Sequence, residues 1–406
     1  MKVIETAEGP VSCPDRIALI GGGRWARVLL EVLASLVPPS VAISVHSRRN
    51  IDSMAAWART KGLHERVEWS SAWPRSKSSD PGAAIVANAA RDHEATTEWA
   101  LSNRFAVIVE KPVALAAASA RSLANLARQE SVRFAAAHIF LFARYVQAFS
   151  AAITEVGRIE SLHIDWTDPE REVRYGERKR YDASLPVYSD WLPHVVSIAG
   201  ALLPTPPDTC RCVSLRRGGA ALELELSAAG VPCTVRMERN SDRRRRKIRA
   251  VAGVETLELD FSTEPGVIVR GFSSVTADPY WGSRRRPAAC MLAAFLEWAA
   301  GGRYDERLAV GPALQACKVI EQVSGLYLSA LIPWLAARLA ESGTPDEEVR
   351  YSLTELLQAD GLLSKGELDR RIDTVRARFA DVDRARWTGL LAHPTEAARF
   401  LVSLAA

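Results

Sequence analysis

The chain has 406 residues, which is too long for one ordinary hydrophobic core and predicts two domains with an additional segment. Lysine and arginine total 52 against 48 aspartate and glutamate residues, so the overall charge favours neither nucleic acid nor a membrane surface as partner. The six cysteines include no C-x-x-C pair, and no signal peptide or membrane-spanning apolar run is evident. We therefore predict a cytoplasmic protein with reduced thiols.

The first fifteen residues contain Gly9, Pro10 and Pro14 and show no apolar periodicity. This pattern predicts a flexible arm at residues 1–15.

A glycine-rich turn follows the first apolar strand of the chain. Gly21 and Gly23 occupy the first two positions of the pattern G-x-G-x-x-G/A, and Ala26 occupies the third. Small residues are needed there because the backbone approaches a pyrophosphate, and the helix that follows offers free N–H groups to the phosphates. The same turn is also a common way to connect a strand to a helix, so both interpretations stay open.

The second strand, residues 41–46, ends in Ser47, Arg48 and Arg49. NAD-binding proteins usually have a carboxylate there for the ribose hydroxyls, whereas arginine accommodates the additional phosphate of NADP. The sequence therefore favours NADP, and the alternative is a solvated strand end.

Apolar strands alternate with helices up to about residue 141. Strands are predicted at residues 83–88, 105–109 and 134–138, with helices at 93–103 and 117–129. This alternation predicts a parallel sheet covered on both faces, a Rossmann dinucleotide-binding domain at residues 16–141. Ligands bind beyond the carboxyl ends of such strands. The residues at those ends are Asn88, Glu110, Lys111 and His138.

The pattern changes after residue 142. Strand-like segments between residues 159 and 270 are joined by Gly, Asn, Ser and Asp turns, and helices resume at 287–300 and 311–331. We predict an α+β domain with an open, mostly antiparallel sheet at residues 142–340, for substrate binding and oligomerisation. A helical extension is predicted at residues 341–406.

Two clusters carry the candidate chemistry. Lys111 follows a strand end and precedes Pro112, which restricts its backbone and directs its amine towards the cofactor crevice. Asp190 and His194 are four residues apart, on one face of a helix, so the carboxylate is expected to orient the imidazole.

These residues resemble the Gfo/Idh/MocA oxidoreductases, named for glucose-fructose oxidoreductase and inositol dehydrogenase. The resemblance rests on the glycine turn, residues 88–93, residues 107–115 with their Glu-Lys-Pro, residues 157–159, and Asp190-x-x-x-His194. It implies that Lys111 lies beside the nicotinamide, often after a peptide that is cis at the proline. It also implies that Asp190 faces the substrate, that His194 is the acid/base, and that the chain forms homodimers or homotetramers through the open sheet.

The predicted site is therefore large. The catalytic residues are Lys111, His194 and Asp190. The cofactor-binding residues are Gly21, Gly22, Gly23, Arg24, Trp25, Ser47, Arg48, Arg49, Asn88, His93, Glu110 and Lys111. The substrate-binding residues are Arg174, Tyr181, Tyr188 and Asp190.

The basic residues at 171–180 are compatible with an anionic small-molecule substrate or with an intermediate held on an acidic carrier protein. A solvated basic loop explains them equally well. The run at 243–247 follows a predicted hairpin turn and indicates a solvated edge or a subunit interface rather than a nucleic-acid site. His93 either closes one end of the cofactor crevice or is an ordinary packed or surface histidine. The seven histidines show no H-E-x-x-H pattern, so no metal is expected.

The sequence thus predicts an NADP-dependent oxidoreductase that transfers hydride to or from a small, anionic sugar, sugar nucleotide or related compound. One alternative is a thiazoline-type imine reductase of natural-product biosynthesis. The other is a non-catalytic, dinucleotide-binding regulator whose helical extension binds a partner.

Overall fold

The computed structural model describes residues 2–6, 9–74, 82–174, 177–178, 181–282, 285–341, 347–359 and 363–405. The chain begins with a hairpin of β1 (Lys2–Thr6) and β2 (Gly9–Cys13), where we predicted a flexible arm. The prediction is wrong because Ile4 and Cys13 are buried in the first domain's core. The glycine and prolines concealed this short alternation of buried and exposed residues.

A parallel sheet forms the first domain, as predicted. Its strands are β3 (Arg16–Ile20), β4 (Ala42–His46), β5 (Val67–Ser70), β6 (Ala83–Val86), β7 (Ala106–Val109) and β8 (Phe134–Ala136). Its helices are α1 (Arg24–Leu36), α2 (Ile51–Thr60), α3 (His93–Ser102) and α4 (Ala117–Gln129). The strand order is β5-β4-β3-β6-β7-β8, so the chain reverses direction across the sheet between β3 and β6. Open α/β sheets bind ligands at such a switch point, beyond the carboxyl ends of the strands.

The second domain contains a mostly antiparallel sheet. The elements after β8 are α5 (Arg144–Val156), β9 (Ser161–Pro169), β10 (Val173–Arg174), β11 (Glu177–Arg178), α6 (Val187–Leu202), β12 (Thr209–Arg216), β13 (Ala221–Ala228), β14 (Val231–Ser241), β15 (Arg245–Ala252), β16 (Glu255–Asp260), β17 (Val267–Arg270) and β18 (Ser273–Thr276). In the described residues the main sheet has the order β12-β13-β14-β9-β15-β16-β17-β18, and only β14 and β9 pair in parallel. Helix α6 packs on one face of this sheet and carries Asp190 and His194.

One helix of the predicted second domain, residues 142–340, packs in the first domain instead. Helix α7 (Pro287–Ala299) packs in the core of the first domain, through Met291, Leu292 and Phe295, although it follows the second sheet in the chain. Its apolar composition did not reveal which of the two cores it joins, because either core would bury it.

Helix α8 (Gly311–Ala340) connects the two domains with the extension. Cys317 is buried against the first domain, Val323 in the second, and Leu335 among the C-terminal helices. The segment 306–340 is long and apolar enough to cross a membrane by length and composition, and these contacts give it a different role as the central helix of the chain. The extension that follows consists of α9 (Glu347–Gln358), α10 (Lys365–Ala380), α11 (Arg384–Leu391) and α12 (Pro394–Ser403).

Candidate active site

A cleft of about 710 Å³ lies between the glycine turn, the strand ends of the parallel sheet and helix α6. Most of the side chains predicted for the site line it together. These are Arg24, Trp25, Asn88, His93, Glu110, Lys111, Tyr181, Asp190 and His194. Elements that are distant in sequence therefore meet at the switch point of the sheet.

Lys111 and Asp190 form an ion pair at the centre of the cleft. The amine of Lys111 donates to Asp190 Oδ1 at 2.5 Å and to the Asp190 backbone carbonyl at 2.9 Å. The second carboxylate oxygen accepts from Arg239 Nη2 at 3.1 Å. The peptide between Lys111 and Pro112 is cis. The carboxylate is thus held between two cations, each contributing a charge-assisted hydrogen bond.

His194 lies one helical turn from Asp190, and its imidazole ring packs against two aromatic side chains. The imidazole stacks on Trp166, with ring centroids 5.7 Å apart, and meets the edge of Phe140 at 4.9 Å. Burial lowers the pKa of His194 well below its ordinary value, and the charge of Lys111 adds to this effect. Near neutral pH the ring is therefore uncharged and able to accept a proton.

The Asp190 carboxylate was expected to orient the His194 ring, but it accepts hydrogen bonds from Lys111 and Arg239. The i, i+4 spacing does place both residues on one face of α6. The cations on the neighbouring β7 loop and β14 attract the carboxylate more strongly than a neutral imidazole does.

The glycine turn has the shape that a pyrophosphate requires. A Cβ on Gly21 would overlap the carbonyl oxygen of Ala87, and one on Gly22 would overlap the hydroxyl of Ser47, whereas Gly23 faces open space. Helix α1 has Gly23 as its N-cap, without a capping side chain. The N–H groups of its first turn are therefore available for an anion, and the residues fit a dinucleotide.

Asn88 adds an unpaired polar atom to the part of the cleft next to the glycine turn. Its amide nitrogen donates to Thr96 Oγ1 at 2.6 Å, while Oδ1 is buried with no hydrogen-bond partner among the described residues. A buried acceptor without a partner costs free energy, which a bound donor would recover.

His93 holds together the two loops that follow β6 and β7. Its Nδ1 lies 2.7 Å from the Pro112 carbonyl oxygen and its Nε2 lies 3.2 Å from that of Asn88. Burial lowers the pKa of His93, so the neutral ring donates to one of these carbonyls at a time. His93 is therefore a buried residue that lines the cleft and also joins the two loops by hydrogen bonding.

The structure places the remaining predicted residues as follows. Ser47 follows β4 and accepts a hydrogen bond from the Asn50 backbone at 3.2 Å, and Arg48 and Arg49 are exposed beside it. Arg174 is in β10, and its side chain lies outside the described part of the structure.

Tyr188 was predicted to bind substrate, and this prediction is wrong. Its ring is buried against Tyr327, with centroids 5.1 Å apart, in the core of the second domain. Two residues along a helix correspond to a rotation of about 200°, so when Asp190 faces the cleft Tyr188 faces the core.

Sequence analysis missed the arginines at the far end of the cleft. Arg246 is 3% exposed, makes an ion pair with Asp168 and lies 4.3 Å from the centroid of the Trp166 ring. Arg244 lines the same wall and pairs with Glu172 at 3.3 Å. Both belong to the run predicted as a solvated edge. The period of the strand could have revealed them, because successive residues of a strand point to opposite faces and Arg244 and Arg246 share one face.

His138 makes the folded chain sensitive to acid. It is 3% exposed, and burial lowers its pKa to about 4. Since the unfolded value is about 6.5, the unfolded chain binds the proton more readily between pH 6.5 and 4, and stability falls as pH is lowered through this window. Between pH 7 and pH 4 we expect the free energy of unfolding to fall by about 3 kcal/mol less in His138→Asn than in the parent protein. Urea unfolding at the two pH values measures this difference.

The matched control is His393→Asn, at an exposed position, which should keep the pH dependence of the parent. An unchanged pH dependence in His138→Asn would contradict the assignment.

Comparison with known proteins agrees with this geometry. Residues 16–138 match the family described as oxidoreductase family, NAD-binding Rossmann fold, Gfo/Idh/MocA. No curated protein sequence matches the chain.

Several solved structures share the fold across both domains. The UDP-N-acetylglucosamine 3-dehydrogenase of Acidithiobacillus ferrooxidans is 17% identical, with a TM-score of 0.59 over 77% of this chain and 97% of its own. A 3-ketoreductase of Actinomadura kijaniata, in complex with TDP-benzene and NADP, is 19% identical, with a TM-score of 0.60 over 76% and 96%. A levoglucosan dehydrogenase, in complex with NADH and levoglucosan, is 16% identical, with a TM-score of 0.62 over 77% and 96%.

The glycine turn, the Glu-Lys-Pro strand end and the matched segment are all in the first domain. Over its Rossmann domain, residues 16–138, this chain matches the Gfo/Idh/MocA family of oxidoreductases.

Proposed function

We propose that the protein is an NADP-dependent oxidoreductase that interconverts a hydroxyl and a carbonyl group on a small, anionic, sugar-like metabolite. The observation that carries this proposal is the meeting of Lys111, Asp190 and His194 in one cleft, at the strand ends next to the glycine turn. A non-catalytic regulator would not need an amine, a carboxylate and a neutral imidazole at this point.

The residues suggest a division of roles. When bound, the nicotinamide cofactor supplies or accepts the hydride. The amine of Lys111 orients the reacting oxygen by donating a hydrogen bond, and Asp190 keeps that amine in place. His194 accepts the hydroxyl proton in the oxidative direction and returns it in reduction, because its lowered pKa leaves the ring neutral.

The far end of the cleft supports a ring-shaped, anionic substrate. Arg244, Arg246 and Arg286 line it, and the half-buried indole of Trp281 provides a flat apolar surface. Guanidinium groups suit phosphate or carboxylate, and aromatic faces suit the apolar face of a sugar. Three similar structures are named for enzymes of UDP-N-acetylglucosamine, levoglucosan and a 3-keto group, which supports a sugar-like substrate.

The cofactor preference is proposed from the end of β4. Ser47 lies directly beside Gly22 of the phosphate turn, and Arg48 and Arg49 follow it with exposed side chains. We expect Arg48→Ala to weaken NADPH binding by about tenfold or more and to leave NADH binding unchanged, because only NADPH carries the phosphate. Fluorescence titration of the reduced dinucleotides measures both affinities.

Arg59→Ala on α2 is the matched control, since this exposed arginine belongs to the helix that follows the β4 turn. Equal weakening of NADPH and NADH by Arg48→Ala would mean that Arg48 does not read the phosphate. Tighter binding of NADH by the parent protein would overturn the NADP preference.

A further inference from the structure

The C-terminal extension reaches the active site through polar side chains of α9. Its own core is apolar, with Leu353, Ile372, Val375 and Leu401 buried. One face of α9, however, is directed at the second domain, where Ser352 Oγ donates to the Gly218 carbonyl at 2.7 Å. The extension is therefore docked on the substrate domain by specific contacts.

The docking surface is shaped by two glycines. Gly218 and Gly219 have φ values of +61° and +95°, and a Cβ on either would overlap Glu348 or Tyr327. The backbone of the second domain thus approaches α9 and α8 more closely than other residues allow. This close approach brings the polar face of α9 within reach of β14.

Arg239 of β14 is the link between α9 and the cleft. It is 2% exposed, and its guanidinium donates to the Leu185 carbonyl at 2.8 Å and to Asp190 at 3.1 Å. The hydroxyl of Tyr351, on α9, accepts from the same guanidinium at 3.4 Å. Arg239 also lies 4.7 Å from the centroid of the Tyr181 ring, in the cleft wall.

Glu355 completes this buried group one turn further along α9. Its Oε1 accepts from the Tyr327 hydroxyl at 2.7 Å, and the side chain is 5% exposed. Burial raises the pKa of Glu355 to about 7, while the hydrogen bond from Tyr327 and the charge of Arg239 favour the carboxylate. A tyrosine of the extension thus contacts the cation that holds Asp190, and a buried acid of the extension acts on the same cation through its charge.

We propose that Tyr351 and Glu355 are positioning residues of the active site, which hold Arg239 in place and through it fix the Asp190 carboxylate against the Lys111 amine. The catalytic significance of this role rests on the proposed function, whereas the series of contacts from Tyr351 through Arg239 and Asp190 to Lys111 does not. The extension is then part of the catalytic unit rather than a separate partner-binding module.

The test is the reactivity of Lys111 in the full chain. Acetic anhydride acylates lysine amines, and mass spectrometry measures the rate of acylation at Lys111. The reference is Lys61, an exposed amine of the first domain that pairs with Glu31 and does not line the cleft. In Tyr351→Phe and Glu355→Gln we expect Lys111 to react about threefold faster or more, because a displaced Asp190 holds the amine less firmly.

The matched controls are Tyr304→Phe and Glu347→Gln, at exposed positions, and they should leave the ratio unchanged. An unchanged ratio in folded Tyr351→Phe would overturn the proposal even if Glu355→Gln fails to fold. So would an equal increase in the controls.

NADPH titration of the same variants separates this proposal from the proposed function. We expect all of them to bind NADPH as the parent does, since none of the substituted residues belongs to the glycine turn or lines the cleft. If the parent fails to bind NADPH, the oxidoreductase proposal fails, while the labelling ratio still decides whether the extension holds the Lys111–Asp190 pair.

Discussion

Replacement of Lys111 by alanine is expected to lower turnover by about three orders of magnitude, within the range of a positioned acid–base or orienting group. The amine is the donor closest to the Asp190 carboxylate and faces the strand-end crevice, so its loss removes the group that orients the reacting oxygen. Asp190 keeps its contact with Arg239 in this variant, so the fold should survive.

Turnover is followed by the absorbance of NADPH, with sugar nucleotides and sugar acids as substrates, and the variant's NADPH affinity is measured by fluorescence. We expect that affinity to change little. Lys61→Ala is the control, because it removes a surface ion pair of the same domain. Parent-like turnover in Lys111→Ala would remove Lys111 from the proposed mechanism.

Replacement of Asp190 by alanine is expected to reduce both stability and turnover. The carboxylate lies between the Lys111 amine and the buried Arg239 guanidinium, so its removal leaves two positive charges without their shared partner. Removing the carboxylate partner of the buried Arg239 guanidinium costs about 3 kcal/mol, and urea unfolding at pH 7 measures the loss.

Asp242→Ala is the matched control for this variant. Asp242 is largely exposed and pairs with surface arginines, so its loss should cost well under about 1 kcal/mol. If the two variants lose equal stability, the Asp190 carboxylate does not hold the two cations together in solution.

The first domain was predictable because its signals are local. Asn88 and Lys111 each follow the last residue of an apolar strand by two positions. Parallel strands bring their carboxyl ends to one edge of the sheet. That rule brought Asn88 and Lys111 to one cleft from sequence positions alone. The helical spacing likewise placed Asp190 and His194 on one face of α6.

The contacts that complete the site were not predictable because they join distant segments. Arg239 and Tyr351 are 112 residues apart, and no local pattern relates a strand residue to a helix of the extension. Arg246 was hidden in a basic run whose members differ only in the face of the strand they occupy. Tyr188 was misassigned because its proximity in sequence to Asp190 conceals its opposite direction on the helix.

The most direct measurement of the central claim is acylation of Lys111 with and without saturating NADPH, with Lys61 as internal reference. The account predicts that NADPH slows the reaction of Lys111 and leaves that of Lys61 unchanged, because the dinucleotide fills the cleft beside the Lys111 amine. NADPH binding that leaves Lys111 fully reactive would contradict the assignment of this cleft as the site of hydride transfer.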